Sequence, residues 1–590
     1  MTELRPRYRW IPPAPATVSA DLTEAGLQAG LSRRAVGLLA GRGQRTGHDL
    51  VAHLGAPEAA LHDPGLLPDA ALTVQRVARA RERGERVLVV GDFDADGLTG
   101  LAILVLALRR LGLDAAPYVP DRRFEGHGLS LTAVERAAAE GRTLLFTVDT
   151  GTSSAAEVAA ATARGIDVII TDHHHVPPGR PAAVALVNPH RPESVYPDPR
   201  LAGTGVAFKV AQLLLRDEPD GARLALELSD LAAIGTVSDL APLVGENRAL
   251  ARLGLARLRS AARPGLAALM ATASVKPERV DLDTVAYALA PRLNAGGRVA
   301  DAMTGARLLL AADEAEAVPL AAELEAANRY RRELTAAALE AARVEADLTP
   351  AAAAVIVAGP WPVGVIGLVA GRLAEERGVP AVVVATEAEP WRASARGPAG
   401  TQLAAAFEAC DDLLERHGGH PQAAGCQFPS ASYGPLRERL LALLASPAPA
   451  GDARPTLALD LVVTASDVDY RLLRDLAVLE PTGPGNPAPL VGVAGLTVAR
   501  VRPAAAEHAS LVLRKEREVL DGIAFERADL VELLAEGDRV DVVARLASRS
   551  FGGYESLQLE VRDVARSGHL ASLAAEAATS FAPAVAAGSG

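Results

Sequence analysis

Asp92, Asp94 and Asp96 fall within one short segment, GDFDADG. Carboxylates this close repel one another unless a cation neutralises them. A solvated acidic turn, or aspartates capping a following helix, would account for one such motif on its own. Here the motif has company. Asp149 follows a second apolar run, Asp172-His173-His174 follows a third, and Asp239 ends the segment GTVSDL. Carboxylate oxygens with one imidazole suit Mn2+ or Mg2+ better than a thiolate-preferring metal. Two such ions about 3.5–4 Å apart clamp an in-line phosphoryl displacement, one activating water and both stabilising charge on the phosphorus oxygens. That chemistry needs a carboxylate between the ions, and Asp149 is the choice for it. A ligand histidine also needs its second ring nitrogen held by a partner. His174 is read as contacting either the metal or the scissile phosphate, and His175 as an exposed loop residue.

Elements must bring these motifs together, and the sequence supplies a regular alternation. RVLVV (86–90) is a short apolar run, GDFDADGLTG a loop and LAILVLALRRLG a helix. LLFTV (144–148) leads through DTGTSS into AAEVAAATARG; DVIIT (167–171) leads into DHHHVPPG; AVALVN (183–188) completes the series. Strands alternating with helices imply βαβ units and a parallel sheet. In such sheets the crevice lies at the carboxyl ends of the strands, so the three acidic motifs that follow strands converge on one edge. LSDLAAIGTVSDLAPL (228–243) reads as a helix ending near the fourth acidic turn.

The whole chain reads as α/β: two α/β domains joined by a long helix, plus a C-terminal β-barrel. Residues 1–80 are expected as a helical preface, 81–300 as the catalytic domain and 301–347 as the connecting helix. Residues 348–446 are expected as the second α/β domain, PAPAGDARP (447–455) as a linker, 455–565 as the barrel, and 566–590 as a mobile low-complexity tail. The barrel reading rests on regularly spaced short β-like runs.

Composition bounds the function. The chain has 590 residues, 49% hydrophobic and 22% charged, enough for several cores, with only 3% aromatics. A net charge of −12 argues on its face against a nucleic-acid partner. A metal-binding carboxylate cluster inflates the acidic count, however, and a basic channel is a local feature. Nearly all basic residues are arginine, the better bidentate phosphate ligand. Cys410 and Cys426 build no disulfide framework or CxxC site and read as buried thiols of a reducing compartment. MTELRPRYRWIPPAP has no secretory apolar region, and no apolar run reaches about 18 residues. A cytoplasmic protein with no membrane association is expected.

GDFDADG, VDTG, TDHHHVPP and GTVSDL resemble the four motifs of the DHH phosphoesterase superfamily, and RASAR and GGHPQAAG resemble its DHHA1 domain. YVPDRRFEGHG, LVNPHRP, LAGTGVAFK, APRLNAGGR, the W-x-x-G-V-I-G segment at 361–367 and EPTGPGNPAP resemble the bacterial RecJ family of single-strand-specific exonucleases. The resemblance runs from near residue 35 to near residue 565. It implies DHH, DHHA1 and OB-fold domains, two Mn2+ or Mg2+ ions, and 5′-to-3′ degradation of single-stranded DNA in recombination and repair. It assigns metal ligation to Asp94, Asp96, Asp149, His173 and Asp239, and places Asp92 and His174 beside them or on the phosphate, so that Asp92, Asp149 and His174 are the catalytic set. It assigns Ser394 and Arg396 to the 5′ phosphate and Arg122 and Arg292 to the backbone. In GGHPQAAG the glycines, Gly419 among them, admit a substrate close to the main chain and His420 offers one polar ring to a phosphate or a base; Asn294 and Arg298 in RLNAGGR are read as substrate contacts in the same way. A single-strand-binding protein and a helicase are the implied partners, and a monomer is the expected state.

The proline-rich EPTGPGNPAP is read as a rigid connector, and Phe525, Phe551 and Tyr554 as the barrel's few stacking candidates. Departures from the family pattern are Val90 in place of a pyrophosphatase histidine, Thr150 where VDNG is common, Pro362 and Val363 before the glycine at 364, and Gly397 after RASAR. Two other functions compete. A phosphodiesterase for short oligonucleotides or cyclic dinucleotides would need little beyond the two α/β domains. A non-catalytic DNA-binding scaffold would have lost metal ligands, and all five are present.

Overall fold

The computed structural model describes residues 4–14, 16–122, 124–348, 353–445, 454–505, 507–551 and 554–580. They form two compact units, one of residues 60–447 and one of residues 1–59 with 448–590.

The first unit contains the parallel sheet. Its strands are β1 (Arg86–Gly91), β2 (Asp114–Tyr118), β3 (Leu144–Val148), β4 (Asp167–Thr171) and β5 (Ala185–Val187), in the order β2-β1-β3-β4-β5. The runs are continuously apolar because both faces are covered. Val87, Val89, Phe146 and Ile169 enter one core, while Leu88, Val90, Leu145 and Ile170 enter the other. The edge strand β2 was not expected from its sequence, DAAPY; its proline is tolerated because the strand lies at an edge. Helices α1 (Ala70–Arg83), α2 (Ala95–Arg110), α3 (Gly203–Leu215) and α4 (Ser229–Ser238) share the first core.

The connecting helix is shorter than expected. Met303–Leu310 is a separate helix, and the long one, which follows α5 (Ala290–Val299), is α6 (Glu314–Asp347). Asp313 starts α6 by accepting from the Glu316 amide, which ends the preceding helix as a distinct element. The second sheet holds β6 (Val355–Gly359), β7 (Ala381–Ala385), β8 (Trp391–Arg396), β9 (Arg416–His420) and β10 (Ala423–Phe428), in the order β9-β10-β8-β7-β6, with α7 (Val363–Arg377) after β6.

The second unit is built on a barrel. Its strands are β11 (Leu461–Val463), β12 (Val491–Ala504), β13 (His508–Lys515), β14 (Glu518–Ala524), β15 (Arg539–Phe551) and β16 (Tyr554–Arg566). Five of them, β12 to β16, close through the β12–β15 pairing, and β11 adds to β12 in parallel. The expected preface divides between the units. Helices Ala20–Gln28, Arg33–Gly41 and Gly47–Leu54 fall with the barrel, whereas α1 belongs to the catalytic sheet. Leu38 packs into the barrel core, and buried Asp563 accepts from the Arg7 and Tyr8 amides and from the Trp10 indole. The connector EPTGPGNPAP is held by Asn486, whose amide donates to the Leu479 and Pro481 carbonyls at 2.8 and 3.0 Å. The expected tail is helical over His569–Ser580, with Leu570 buried against Trp10 and Val543; residues 581–590 lie outside the described residues, as does most of the expected linker. Among the described residues, no helix is long and apolar enough to cross a membrane.

Candidate metal centre

The carboxyl ends of β1, β3 and β4 each deliver an acidic loop, and the end of α4 delivers the fourth. After β1 the chain turns at once into α2. Asp94 caps that helix by accepting from the Asp96 and Gly97 amides at 3.0 and 3.1 Å. Asp96, fully buried, accepts from the Gly203 and Thr204 amides, both at 2.8 Å, so the N-terminus of α3 holds it. This explains LAGTGVAFK: a methyl at Gly203 would lie 2.6 Å from the Asp149 Cβ. Helix α3 is anchored in turn by buried Lys209, whose Nζ meets Glu246 at 2.9 Å.

Asp149 adopts left-handed backbone (φ 59°) directly after β3. Its Oδ1 lies 3.0 Å from the His173 Nε2. His173 in turn approaches Asp96 Oδ2 and Asp239 Oδ2, each at 3.9 Å. Ligand atoms of Asp96, His173 and Asp239 lie within 4.8 Å of one another, as do those of Asp92, Asp94 and Asp149, and those of Asp149, His173 and His174. The three groups overlap through Asp149 and His173.

These residues fit a dication pair by their own electrostatics. Burial, reinforced by neighbouring carboxylates, pushes Asp92 up to about 8 and Asp96 and Asp239 up to about 7. Asp149 is raised well above the carboxylate range for the same reasons. Burial also leaves His173 below the ordinary imidazole value. Among the described residues, the buried Asp149 Oδ1 has no hydrogen-bond donor. Oxygen donors with one neutral imidazole match Mn2+ or Mg2+.

Asp172 takes a different place from the other aspartates. Its Oδ1 lies 2.7 Å from the His174 Nδ1, and its Oδ2 accepts from the Thr152 amide at 2.9 Å. Burial opposes its charge, yet the bond from His174 and those from Thr152 hold it well below the usual range. The hydrogen bond to Asp172 pushes His174 up to about 9. Asn188, buried, ties this loop down: its Nδ2 donates to the His174 carbonyl at 2.9 Å and to the Thr152 hydroxyl at 3.1 Å. Sequence spacing alone points to neither Thr152 nor Asn188, although LVNPHRP contains the latter. Replacing Asn188 with Leu frees both contacts without touching an acidic group. Activity is expected to fall roughly 10–100-fold, with unchanged circular dichroism; full activity would show that His174 needs no such brace.

Arg122 stacks over the Phe93 ring at 5.0 Å. His127 lies on the same ring at 4.6 Å, with Nδ1 4.0 Å from Asp92 Oδ1. Arg298 donates to the Gly364 carbonyl at 3.1 Å, joining α5 to the start of α7. Arg396 donates to the Ser394 hydroxyl at 3.2 Å. Burial, with Arg122 close by, lowers both Arg298 and Arg396 from the ordinary arginine value. His420 and Arg396 both stand in register with Ala423, one on each side of it, on the same face of the sheet. His420 and Gly419 are exposed on the edge strand β9. Asn294 turns to the protein: its Oδ1 accepts from the Ala95 amide at 2.7 Å and its Nδ2 approaches the Ser238 hydroxyl at 3.4 Å. Arg292 pairs with Glu325 at 2.6 Å. His175 is exposed, and the Phe551 and Tyr554 side chains lie outside the described residues. The departure at Gly397 has a local reason, because a Cβ there would meet Thr401 Oγ1 at 2.7 Å.

Comparison with known proteins adds three family matches: the DHH family, N-terminal domain, over residues 86–236; the DHHA1 domain over 350–446; and the RecJ OB domain over 459–563. The single-stranded-DNA-specific exonuclease RecJ of Bacillus subtilis (strain 168) is 34% identical over 534 residues, covering 90% of this chain and 67% of its own. The crystal structure of RecJ from Thermus thermophilus in complex with Mn2+ aligns at a TM-score of 0.80 and 30% identity, over 95% of this chain and 80% of that one. Its Mg2+ complex aligns at 0.74 and 29%, over 95% and 79%.

Proposed function

The chain belongs to the RecJ family of single-stranded-DNA-specific exonucleases, and on that premise we propose that it removes nucleotides from the 5′ end of single strands by two-ion phosphodiester hydrolysis. The observation that supports this most is that the ligand atoms of Asp92, Asp94 and Asp149 cluster, those of Asp96, His173 and Asp239 cluster, and Asp149 meets His173 at 3.0 Å to link the two groups, within electrostatic reach of Arg122 and Arg298. The cofactor is Mn2+ or Mg2+, held by Asp94, Asp96, Asp149, His173 and Asp239. When bound, the ions polarise the scissile phosphate and activate water. The chain's own residues do the rest. Asp149 joins the two ligand groups, and Asp92 orients Asp94 and Asp149 beside it. His174, kept cationic by Asp172, presents its other ring N–H to the scissile phosphate. Asn294 braces the β1 loop against α4.

Polarity follows from the far side of the site. Ser394 and Arg396 take the terminal 5′ phosphate and Arg122 the next one, while Arg292 and Arg298 hold further backbone and His420 and Gly419 border the entry. A planar fork suits that dianion. Arg396→Ala is expected to raise KM for 5′-phosphorylated strands about ten- to a hundredfold, from the loss of a charge-assisted bond, and to affect 5′-hydroxyl strands far less. Equal losses on both ends would put the phosphate pocket elsewhere.

All these residues come from one chain, so the reading needs no second copy. An enzyme restricted to single strands works on DNA that another activity has opened, which accommodates a helicase and a single-strand-binding protein as partners in cytoplasmic recombination and repair. The short-oligonucleotide phosphodiesterase is less favoured because the chain carries the RecJ OB domain. The test is incubation with Mn2+ and a long strand labelled at either end, beside a labelled dinucleotide. Immediate release of the 5′ label as mononucleotide, with gradual shortening from the 3′-labelled view, is the expected result. Rapid dinucleotide hydrolysis with the long strand untouched would overturn it.

A further inference from the structure

Arg331, on α6, is a cation without an anion. Its side chain is half-buried, its Nε has no hydrogen-bond partner, and no carboxylate pairs with it among the described residues. Its close neighbours are cations too, Arg332 and Arg292, and burial beside them lowers its pKa. The carboxylate of Glu325 is already engaged with Arg292. A desolvated guanidinium donor beside two like charges is unfavourable unless an anion arrives to complete it.

A second feature lies alongside. Arg292 Nη1 donates to the Ala288 carbonyl at 2.7 Å, so its guanidinium folds back over the turn that carries Tyr287. Tyr287 is 81% exposed, in a chain with 3% aromatics. It sits on the π-helical turn Val285–Leu289 that leads into α5, and such turns recur at functional sites.

We propose that the face shared by α5 and α6 is a further single-strand subsite, in which Arg331 takes a backbone phosphate of an internal nucleotide and Tyr287 stacks on a base. The subsite rests on the exonuclease reading and extends it away from the metal centre. Continuity selects the strand as occupant over an acidic protein segment: Arg298, which donates to the Gly364 carbonyl at the start of α7, lies within electrostatic reach both of Arg331 and of Arg122, Arg396 and Asp94. A guanidinium fork matches a phosphate, and tyrosine stacking accepts any base, as an enzyme without sequence preference requires.

The test uses the full chain with Mn2+, a 5′-phosphorylated trinucleotide, and a 5′-phosphorylated strand of roughly twelve nucleotides. For Arg331→Gln, kcat/KM on the longer strand relative to the trinucleotide should fall about tenfold, through KM. The slope of log affinity against log salt should shrink by about 0.7. Arg331→Lys should recover part of the loss, Tyr287→Ala should move the ratio the same way, and Tyr287→Phe should match the unaltered chain. Equal losses on both substrates, no loss, or an unchanged salt slope would overturn the subsite, and the last two would leave an acidic protein segment as the face's occupant. Strand binding measured without cleavage separates the two readings. An unaltered chain that binds the longer strand through Arg331 but never cleaves it would overturn the nuclease reading and leave the subsite standing.

Discussion

Asp149→Ala should reduce hydrolysis of single strands by at least about a thousandfold, since it removes preorganised charge from a water-poor site. Asp149 belongs to two of the ligand groups, one with Asp92 and Asp94 and one with His173 and His174. Removing it cuts the only carboxylate common to two of these groups. No neighbour can move in to replace it, because the backbone there is left-handed and α3 approaches so closely that Gly203 has no room for a side chain. Asp149→Asn is the sharper companion, keeping the volume and removing the charge. Calorimetric titration with Mn2+ should show the stoichiometry dropping below two in both variants, with circular dichroism unchanged. Near-normal activity would refute the assignment. Lost activity with both ions still bound would move Asp149 from holding metal to handling the substrate.

Much of this site was legible in the sequence because strand ends fix positions without detailed packing. RVLVV, LLFTV and DVIIT became β1, β3 and β4 within a residue, and once their order was parallel the motifs after them had to share an edge. Legibility failed where a residue acts through partners remote in sequence. Asp172 looks like its neighbours in the chain, yet Thr152 and His174 turn it away from the ligand groups and into a brace. Asn294 sits in a motif read as substrate-binding, and its amide instead joins the β1 loop to the end of α4. The preface failed for a similar reason. Helices of eight or nine residues are marginal alone and form against a partner face. Here that partner is hundreds of residues downstream: Leu479 completes the core of Leu22, Val36 and Leu39. The break before α6 was readable in principle, since Asp313 and Glu316 have capping spacing, but helical periodicity on both sides hid it.

The carboxylate cluster also makes a prediction about stability that is independent of any substrate. Stripped of metal by a chelator, the protein should lose stability as pH rises from about 6 to about 9. The sign follows from proton binding. Asp92, Asp96 and Asp239 hold protons more tightly folded than unfolded, at about 8, 7 and 7 against an ordinary value of 3.8. The folded state therefore carries more protons from about pH 4 until each folded value is passed, so the stability lost to these groups accumulates over that interval and its last part falls between about pH 6 and about pH 8. His174 acts in the same direction: its folded value of about 9 lies above the ordinary 6.5, so its contribution is complete below the lower value and lost through the upper one. His173, lowered by burial, opposes the trend only at the acidic end. Asp172 is depressed, so its contribution holds throughout the window and disappears only in strong acid. Bound Mn2+ compensates the same carboxylates in ionised form and competes with protons for them. Scanning calorimetry across the window should thus show a Tm that declines with pH in chelator, a flatter one in Mn2+, and a gap between them that widens toward alkaline pH. Asp96→Asn should flatten the chelator series, because one buried charge of the set is gone. A metal-free Tm that stays level from about pH 6 to about pH 9 would mean that these carboxylates do not share one field, and the ligand grouping built on their proximity would fall with it.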